Sequence, residues 1–255
     1  MKFLPHLAAA ALVALASCSA PQFSVAPTYG LFEPKGDVSY VSSGGGSARN
    51  SVETLGLDDS EGTFGARADF KWGVPHLTVS TQASSWDGDG TLTADFGGIS
   101  AGVNVESELD LALHRAILTF DVLPTDMFEL GLGFGVTAAD IEAQVTDDLS
   151  NTTESADEVA PIPLLALRAG FRVWKLDFEA LVAGMSLDSG DDEATYVEAD
   201  LNARLALFGE PGGVNGSLML GWRQVDIDVE YTDGGDDVAL DLTFSGPYFG
   251  LQIGI

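Results

Sequence analysis

The feature that most limits what this chain can fold into is strict alternation. In YVEADLNARLALF (residues 196–208), Glu198, Asp200, Asn202 and Arg204 occupy even positions, whereas Val197, Ala199, Leu201, Ala203, Leu205 and Leu207 occupy odd ones. Successive side chains of a strand point to opposite faces, so this period gives one polar and one apolar face. In a soluble sheet the apolar face would enter a core and the charges would meet water. In a membrane barrel the apolar face would meet lipid and the charges would line the lumen.

The pattern recurs in runs longer than the ~5–6 residues usual for globular strands. They are long enough for the ~9–11 residues that a tilted membrane strand needs. Ten strands are predicted, over 22–33, 62–71, 76–86, 106–122, 127–145, 159–174, 176–188, 194–208, 215–231 and 238–255. The connections WGVP (72–75), LPTD (123–126), Trp174-Lys175 and GEPGGVN (209–215) are short. Those at 34–61, 87–105 and 146–158 read as long and polar, and 188–194 and 232–237 as acidic. Short turns at one end and longer loops at the other are the asymmetry of outer-membrane barrels. The expected fold is therefore all-β: a closed up-and-down antiparallel transmembrane β-barrel of about ten strands, with eight as the alternative. An even count places both termini at the short-turn, periplasmic end and the acidic loops outside the cell.

On this reading the lipid-facing positions include Leu201, Leu205 and Leu207, along with the apolar face of MFELGLGFGVTA (127–138). The opposite face assembles a lumen charge network from Arg67, Asp69, Lys71, Glu129, Arg168, Arg172, Asp177, Glu179, Glu198, Asp200, Arg204, Asp226 and Asp228. Seven of the eleven basic residues are Arg, which suits a crowded lumen where a planar guanidinium pairs two-handedly with carboxylates. The expected interior is thus charged and largely plugged. Trp72, Phe120, Phe128, Trp174 and Phe208 lie near the short turns, where an aromatic girdle belongs.

The N-terminus, MKFLPHLAAAALVALASCSAPQ, has a basic start and an apolar run too short to span a bilayer, as in a secretory signal. Its end, LASC, resembles a lipobox, with Cys18 as the acylated first residue of the mature chain and residues 1–17 as the signal peptide. Cleavage after Ala20 is the alternative. Residues 18–255 then form one barrel domain. Cys18 is the single cysteine, so an internal disulfide is excluded. The net charge of −28, with no basic cluster, disfavours nucleic-acid binding. It points instead to a solvated acidic surface, to outer-membrane lipid and to lipopolysaccharide reached through divalent cations.

The segments LGLDDS (55–60), FGG (96–98), SELDL (107–111), PIPLLALRAGF (161–171), GWRQV (221–225) and LTFSGPYFGL (242–251) occur in an order that resembles a proteobacterial outer-membrane β-barrel family of uncharacterised function. The resemblance implies an outer-membrane barrel, folded by the outer-membrane assembly machinery, and carries over no catalytic residue. Two features depart from the pattern: the lipobox-like LASC, and Ile255 where a terminal aromatic is usual.

Little in the sequence carries catalytic chemistry. The mature chain offers His76, beside a short turn and so at the wrong end for an outer-rim site, and His114 within LALHRAIL, with no triad partner in sequence. No GxSxG, HExxH or P-loop occurs. Carboxylates cluster at 87–90, 188–193 and 233–237, but none matches the twelve-residue calcium loop. No catalytic residue, cofactor or specific metal is expected. The leading expectation is a structural or interaction protein. A small cation-favouring channel or solute-binding barrel comes next, and a membrane-embedded hydrolase last. The sequence assigns no oligomeric state.

Overall fold

The computed structural model describes residues 21–41, 49–123, 125, 127–189, 192–209, 213–233 and 236–255. The signal-peptide and Cys18 expectations lie outside these residues. Eleven strands form one antiparallel sheet: β1 (Gln22–Val41), β2 (Asn50–Ser51), β3 (Glu61–Lys71), β4 (Pro75–Thr91), β5 (Asn104–Asp121), β6 (Phe128–Asp147), β7 (Thr153–Val173), β8 (Leu176–Ser189), β9 (Asp192–Phe208), β10 (Asn215–Asp233) and β11 (Asp236–Gly254). Neighbours in sequence pair in order, and β11 returns to pair with β1 from Ser24↔Gly254 to Val41↔Asp237. The sheet is therefore a closed up-and-down antiparallel barrel. The count departs from ten only through the two-residue β2, which pairs with β1 above the end of β3.

The strands run further than the alternation suggested. Segments 34–41, 87–91, 104–105, 146–147 and 153–158, read from sequence as parts of long loops, belong to β1, β4, β5, β6 and β7. Only about half of a strand such as the 20-residue β6 is needed to cross a bilayer. All the excess lies at one end, the end of the longer connections. The four short turns, the start of β1 and the end of β11 gather at the other.

Along β5 and β6 the two faces exchange character at that excess. On β6, Phe128, Leu132, Phe134 and Val136 point outward and exposed, and their inward neighbours are Glu129 and three glycines. Further along the same strand the outward residues are Asp140, Glu142 and Gln144, while Ala139, Ile141, Ala143 and Val145 are buried inside. On β5, Phe120 faces out near the short turn, and Glu106, Glu108 and Asp110 face out above it, opposite buried Val105, Leu109 and Leu111. The barrel therefore has two storeys. The lower has a lipid-compatible wall and a polar interior. The upper has an acidic exterior and an apolar core.

In the lower storey the described outward face carries no charge. Two of its polar outward groups, Thr81 and His114, face each other across β4 and β5, with Thr81 Oγ1 2.9 Å from His114 Nδ1. His114 is thus part of the wall. Trp72, Phe120, Phe128, Trp174 and Phe208 are all exposed around the short-turn rim.

The upper core is built around Trp86 and Phe244, stacked at 5.2 Å, with Trp86 Nε1 donating to the Phe32 carbonyl at 3.1 Å. Leu109, Leu111, Leu181, Ile227 and Leu242 belong to the same buried apolar cluster. The segment 92–103 closes the mouth above. Asn50 holds it, with its side-chain oxygen accepting from the amides of Thr93 and Ala94 and its amide donating to the Ala94 carbonyl. Gly97 N–H reaches the Tyr40 carbonyl of β1 at 2.9 Å, while a Cβ there would strike Glu154 of β7. The segment therefore spans from one wall to the other. Gly88 on β4 is required by close approach: a Cβ would lie 1.9 Å from the carbonyl oxygen of Gly56.

The storey boundary is testable on a single face of β6. A charge at the bilayer midplane costs about 2–4 kcal/mol, and little near the interface. Phe134→Arg should lower folding stability in lipid vesicles by about that amount, whereas Gln144→Arg on the same face should leave it nearly unchanged. Equal effects in urea titrations of the two variants would contradict the boundary.

Candidate functional site

The lower lumen brings charged side chains from seven strands together, each placed there by strand parity. At the short-turn end, Arg67 grips Asp69 two-handedly (Nε to Oδ2 2.9 Å, Nη2 to Oδ1 2.8 Å) and also contacts Glu179. Thr78 donates to Asp69 Oδ1 at 2.9 Å, and His76 Nε2 lies 3.3 Å from the same oxygen. Arg204 donates to Glu179 at 2.8 Å. Arg168 bonds Asp121 and Glu129, and Lys71 closes this group on Glu129 and Asp121.

One level higher, Asp200 accepts from Arg223 Nη2 at 2.6 Å and from the Tyr248 hydroxyl at 2.6 Å. Arg223 also donates to Gln82 Oε1 at 2.8 Å and lies over the Tyr248 ring. Arg115 pairs with Glu198, donates to Ser80 and approaches Asp200 to 3.6 Å. Tyr196 donates to Glu198 at 3.0 Å, tying the charged layer to the apolar core above it.

Six cations (Arg67, Lys71, Arg115, Arg168, Arg204, Arg223) thus meet six carboxylates (Asp69, Asp121, Glu129, Glu179, Glu198, Asp200). The lumen is neutral in a chain of formal charge −28, leaving 33 carboxylates against five cations elsewhere. A cavity of about 10 Å³ lies between this cluster and Phe32, lined by Thr28, Thr63, Arg67, Gln82, Arg223 and Tyr248. That is room for roughly one water. Arg67 Nη1 and Gln82 Nε2, which lack protein hydrogen-bond partners, belong to two of its lining residues.

Of the thirteen residues expected in the network, Arg67, Asp69, Lys71, Glu129, Arg168, Glu179, Glu198, Asp200 and Arg204 lie inside, the first six and Arg204 in one ion-paired group and Glu198 and Asp200 in the group one level higher. Leu201 and Leu205 point outward, with Leu201 54% exposed against 0% for its neighbour Asp200. Arg172 and Asp177 pair with each other at the short-turn rim, more than a third exposed, apart from the buried cluster. Asp226 and Asp228 do not belong to the lumen. They face outward on β10, while Val225 and Ile227 are 1% and 2% exposed. Alternation over 224–230 gives two faces, but their sides are the reverse of the lumen expectation for Asp226 and Asp228, because this stretch lies in the upper storey, where the apolar face is the inner one.

Sequence reasoning also missed Arg115, Asp121 and Arg223. Arg223 shares its parity with Val225 and Ile227, and Arg115 with Leu111, Leu113 and Ile117, so both looked like interruptions of an apolar face. The available signal was the parity exchange within one strand: on β10, Leu220 and Trp222 are apolar at even positions before Val225 and Ile227 are apolar at odd ones.

No protein-family model matches the chain, and no curated protein matches it. Among solved structures, the fold is similar to that of the outer membrane protease OmpT from Escherichia coli. The TM-score is 0.57 at 9% identity, covering 94% of this chain and 99% of that one. Ail, the attachment invasion locus protein of Yersinia pestis, matches at a TM-score of 0.40 and 9% identity, over 93% of this chain and 100% of that one. The first likeness is one of fold: this chain has the architecture of an outer-membrane β-barrel. Among its described residues, the two histidines lie in the lower lumen (His76) and on the outer wall (His114), and neither is at the upper mouth.

The charge network makes a direct prediction. Removing one member of a buried ion pair leaves its partner uncompensated, at about 3–5 kcal/mol. Asp200→Leu should therefore destabilise the barrel by that order, and Arg223→Met combined with Asp200→Leu should recover part of the loss. Urea midpoints in micelles of these two variants and of Arg223→Met alone measure both. Strictly additive losses would show that the pair is not coupled.

Proposed function

We propose that this chain is an outer-membrane β-barrel protein with a structural or interaction role, non-enzymatic and closed to solute flow. The observation that carries this reading is the filled interior: a neutral, mutually paired charge layer lies directly beneath an apolar core, with the 92–103 segment across the mouth. Ions need a continuous polar path, and the Trp86–Phe244 layer interrupts one. A histidine at the outer rim, where a barrel hydrolase would meet external substrate, is absent among the described residues. The acidic lumen residues that favoured a cation channel in sequence each have a cationic partner.

We assign the short-turn end to the periplasm and the acidic storey to the cell exterior, in keeping with the loop asymmetry of such barrels. A lipid on Cys18 would lie at the same end as β1 begins, and membership of the proteobacterial barrel family named above fits both. The outer storey's partners are then lipopolysaccharide anions bridged by divalent cations. Its register favours this: Asp241 directly faces both Asp228 and Asp37, and Asp110 faces Glu142. Like charges directly opposite repel, and a bound divalent ion would relieve them.

Planar-bilayer recordings of the purified protein should give no stable conductance steps, and well-resolved cation-selective steps would overturn the closed reading. Adding Mg²⁺ to protein in lipopolysaccharide-containing vesicles should raise the thermal midpoint, and EDTA should reverse it. Asp241→Asn should shrink that shift, whereas an unchanged shift would remove this row from the cation-binding surface. Palmitate labelling of wild type but not of Cys18→Ala would support the lipid anchor.

A further inference from the structure

On the outer wall of the lower storey, β6 to β10 form a shallow apolar groove of about 870 Å³. Its floor is set by Ala169, Ala180 and Ala203, and larger residues such as Phe171, Phe178 and Trp222 rise around it. Register explains the depression. Ala169 pairs directly with Ala180, so two methyl groups stand side by side, and Ala203 faces Phe178 and Leu220 on its two neighbours. The groove runs down to the β7–β8 corner: Phe171 and Phe178 pair with each other, and one pleat further, about 6.6 Å along the strand, the chain turns through Trp174 and Lys175.

That corner has a charge of its own. Outside the lumen, the cations described at this end of the barrel are Arg172 and Lys175. Arg172 pairs with Asp177, whereas the Lys175 ammonium is exposed, lies 5.7 Å from the Trp174 ring centre and, among the described residues, has no carboxylate within salt-bridge distance. Trp174, 84% exposed, is an amphipathic side chain suited to the headgroup layer. A positive headgroup-level corner directly below an apolar groove complements one kind of molecule, an anionic amphiphile with its phosphate at Lys175 and an acyl chain on the alanine floor.

We infer that this groove and corner form a resident site for an anionic phospholipid, such as phosphatidylglycerol, in the leaflet at the short-turn end. The inference rests on the periplasmic placement of that end proposed above, since this is the leaflet in which phospholipid surrounds the barrel. The site differs from ordinary annular contact because it selects both headgroup charge and an acyl chain at one place on the wall.

The test is native mass spectrometry of the full-length protein from micelles doped with equal amounts of palmitoyl-oleoyl phosphatidylglycerol and phosphatidylcholine. Wild type should retain one phosphatidylglycerol at least about fivefold in excess over phosphatidylcholine. Lys175→Glu should abolish the preference, and Ala180→Phe, which fills the groove without changing charge, should reduce retention of both lipids. Each variant is first checked for the wild-type folded band on unheated gels, and Ala180→Leu replaces Ala180→Phe if the latter does not fold. Equal retention of the two lipids by wild type, or a preference untouched by both variants, overturns the site. Modification of Lys175→Cys in whole cells by an impermeant thiol reagent would instead overturn the orientation, leaving the lipid selectivity measured in micelles as a separate result.

Discussion

Everything in this molecule depends on the seam between β1 and β11. In hydrocarbon an unpaired backbone donor or acceptor costs several kcal/mol, so a spanning sheet with an edge is excluded and only closure is stable. The seam runs from Ser24↔Gly254 to Val41↔Asp237, the whole height of both storeys. Once it is made, each strand has an inside and an outside, and period 2 assigns every side chain to one of them. The lower wall, the neutral lumen, the apolar upper core and the acidic exterior are then consequences of which residue falls at which parity.

This explains how much was legible in advance. Strand positions, the closed barrel and most of the lumen network follow from alternation in segments such as 127–138 and 196–208, where one parity is apolar and uncharged throughout. What alternation cannot supply is the environment of each face, since the same pattern serves a wall that meets lipid and a wall that meets water. Asp226 and Asp228 were assigned inward for that reason, and Arg115 and Arg223 were passed over for the same one. These residues lie around the level where the outer medium changes from lipid to water. The upper halves of β1 and β4 were hidden differently: Gly36, Gly88 and Gly90 are turn signals in sequence, yet they serve in strands because neighbouring backbone approaches too closely for a side chain.

Charge sorting follows from the same boundary. A lumen narrow enough to be filled by side chains has a low effective dielectric, in which uncompensated ions are expensive. The chain has few cations, and six of its eleven are spent inside, each within reach of a carboxylate. Five of the six are Arg, whose forked donors can satisfy two carboxylates at once, as Arg67 does with Asp69 and Glu179 and Arg168 with Asp121 and Glu129. The acidic excess is left on the outer surface, where water and counterions screen it.

The two interiors also support each other. The apolar core excludes water from above, which strengthens every pairing in the charged layer and raises the penalty for any mismatch among them. The charged layer in turn orients the lowest residues of that core, through the hydroxyls of Tyr196 on Glu198 and Tyr248 on Asp200. A barrel of this width could have been filled by apolar side chains throughout, but the lower lumen would then have presented an apolar interior behind an apolar wall. Such a strand would be a continuous hydrophobic run with no parity to set its register or its facing. The buried ions are thus what makes inside differ from outside in the segment that lipid surrounds. The apolar core does the same in the segment that water surrounds.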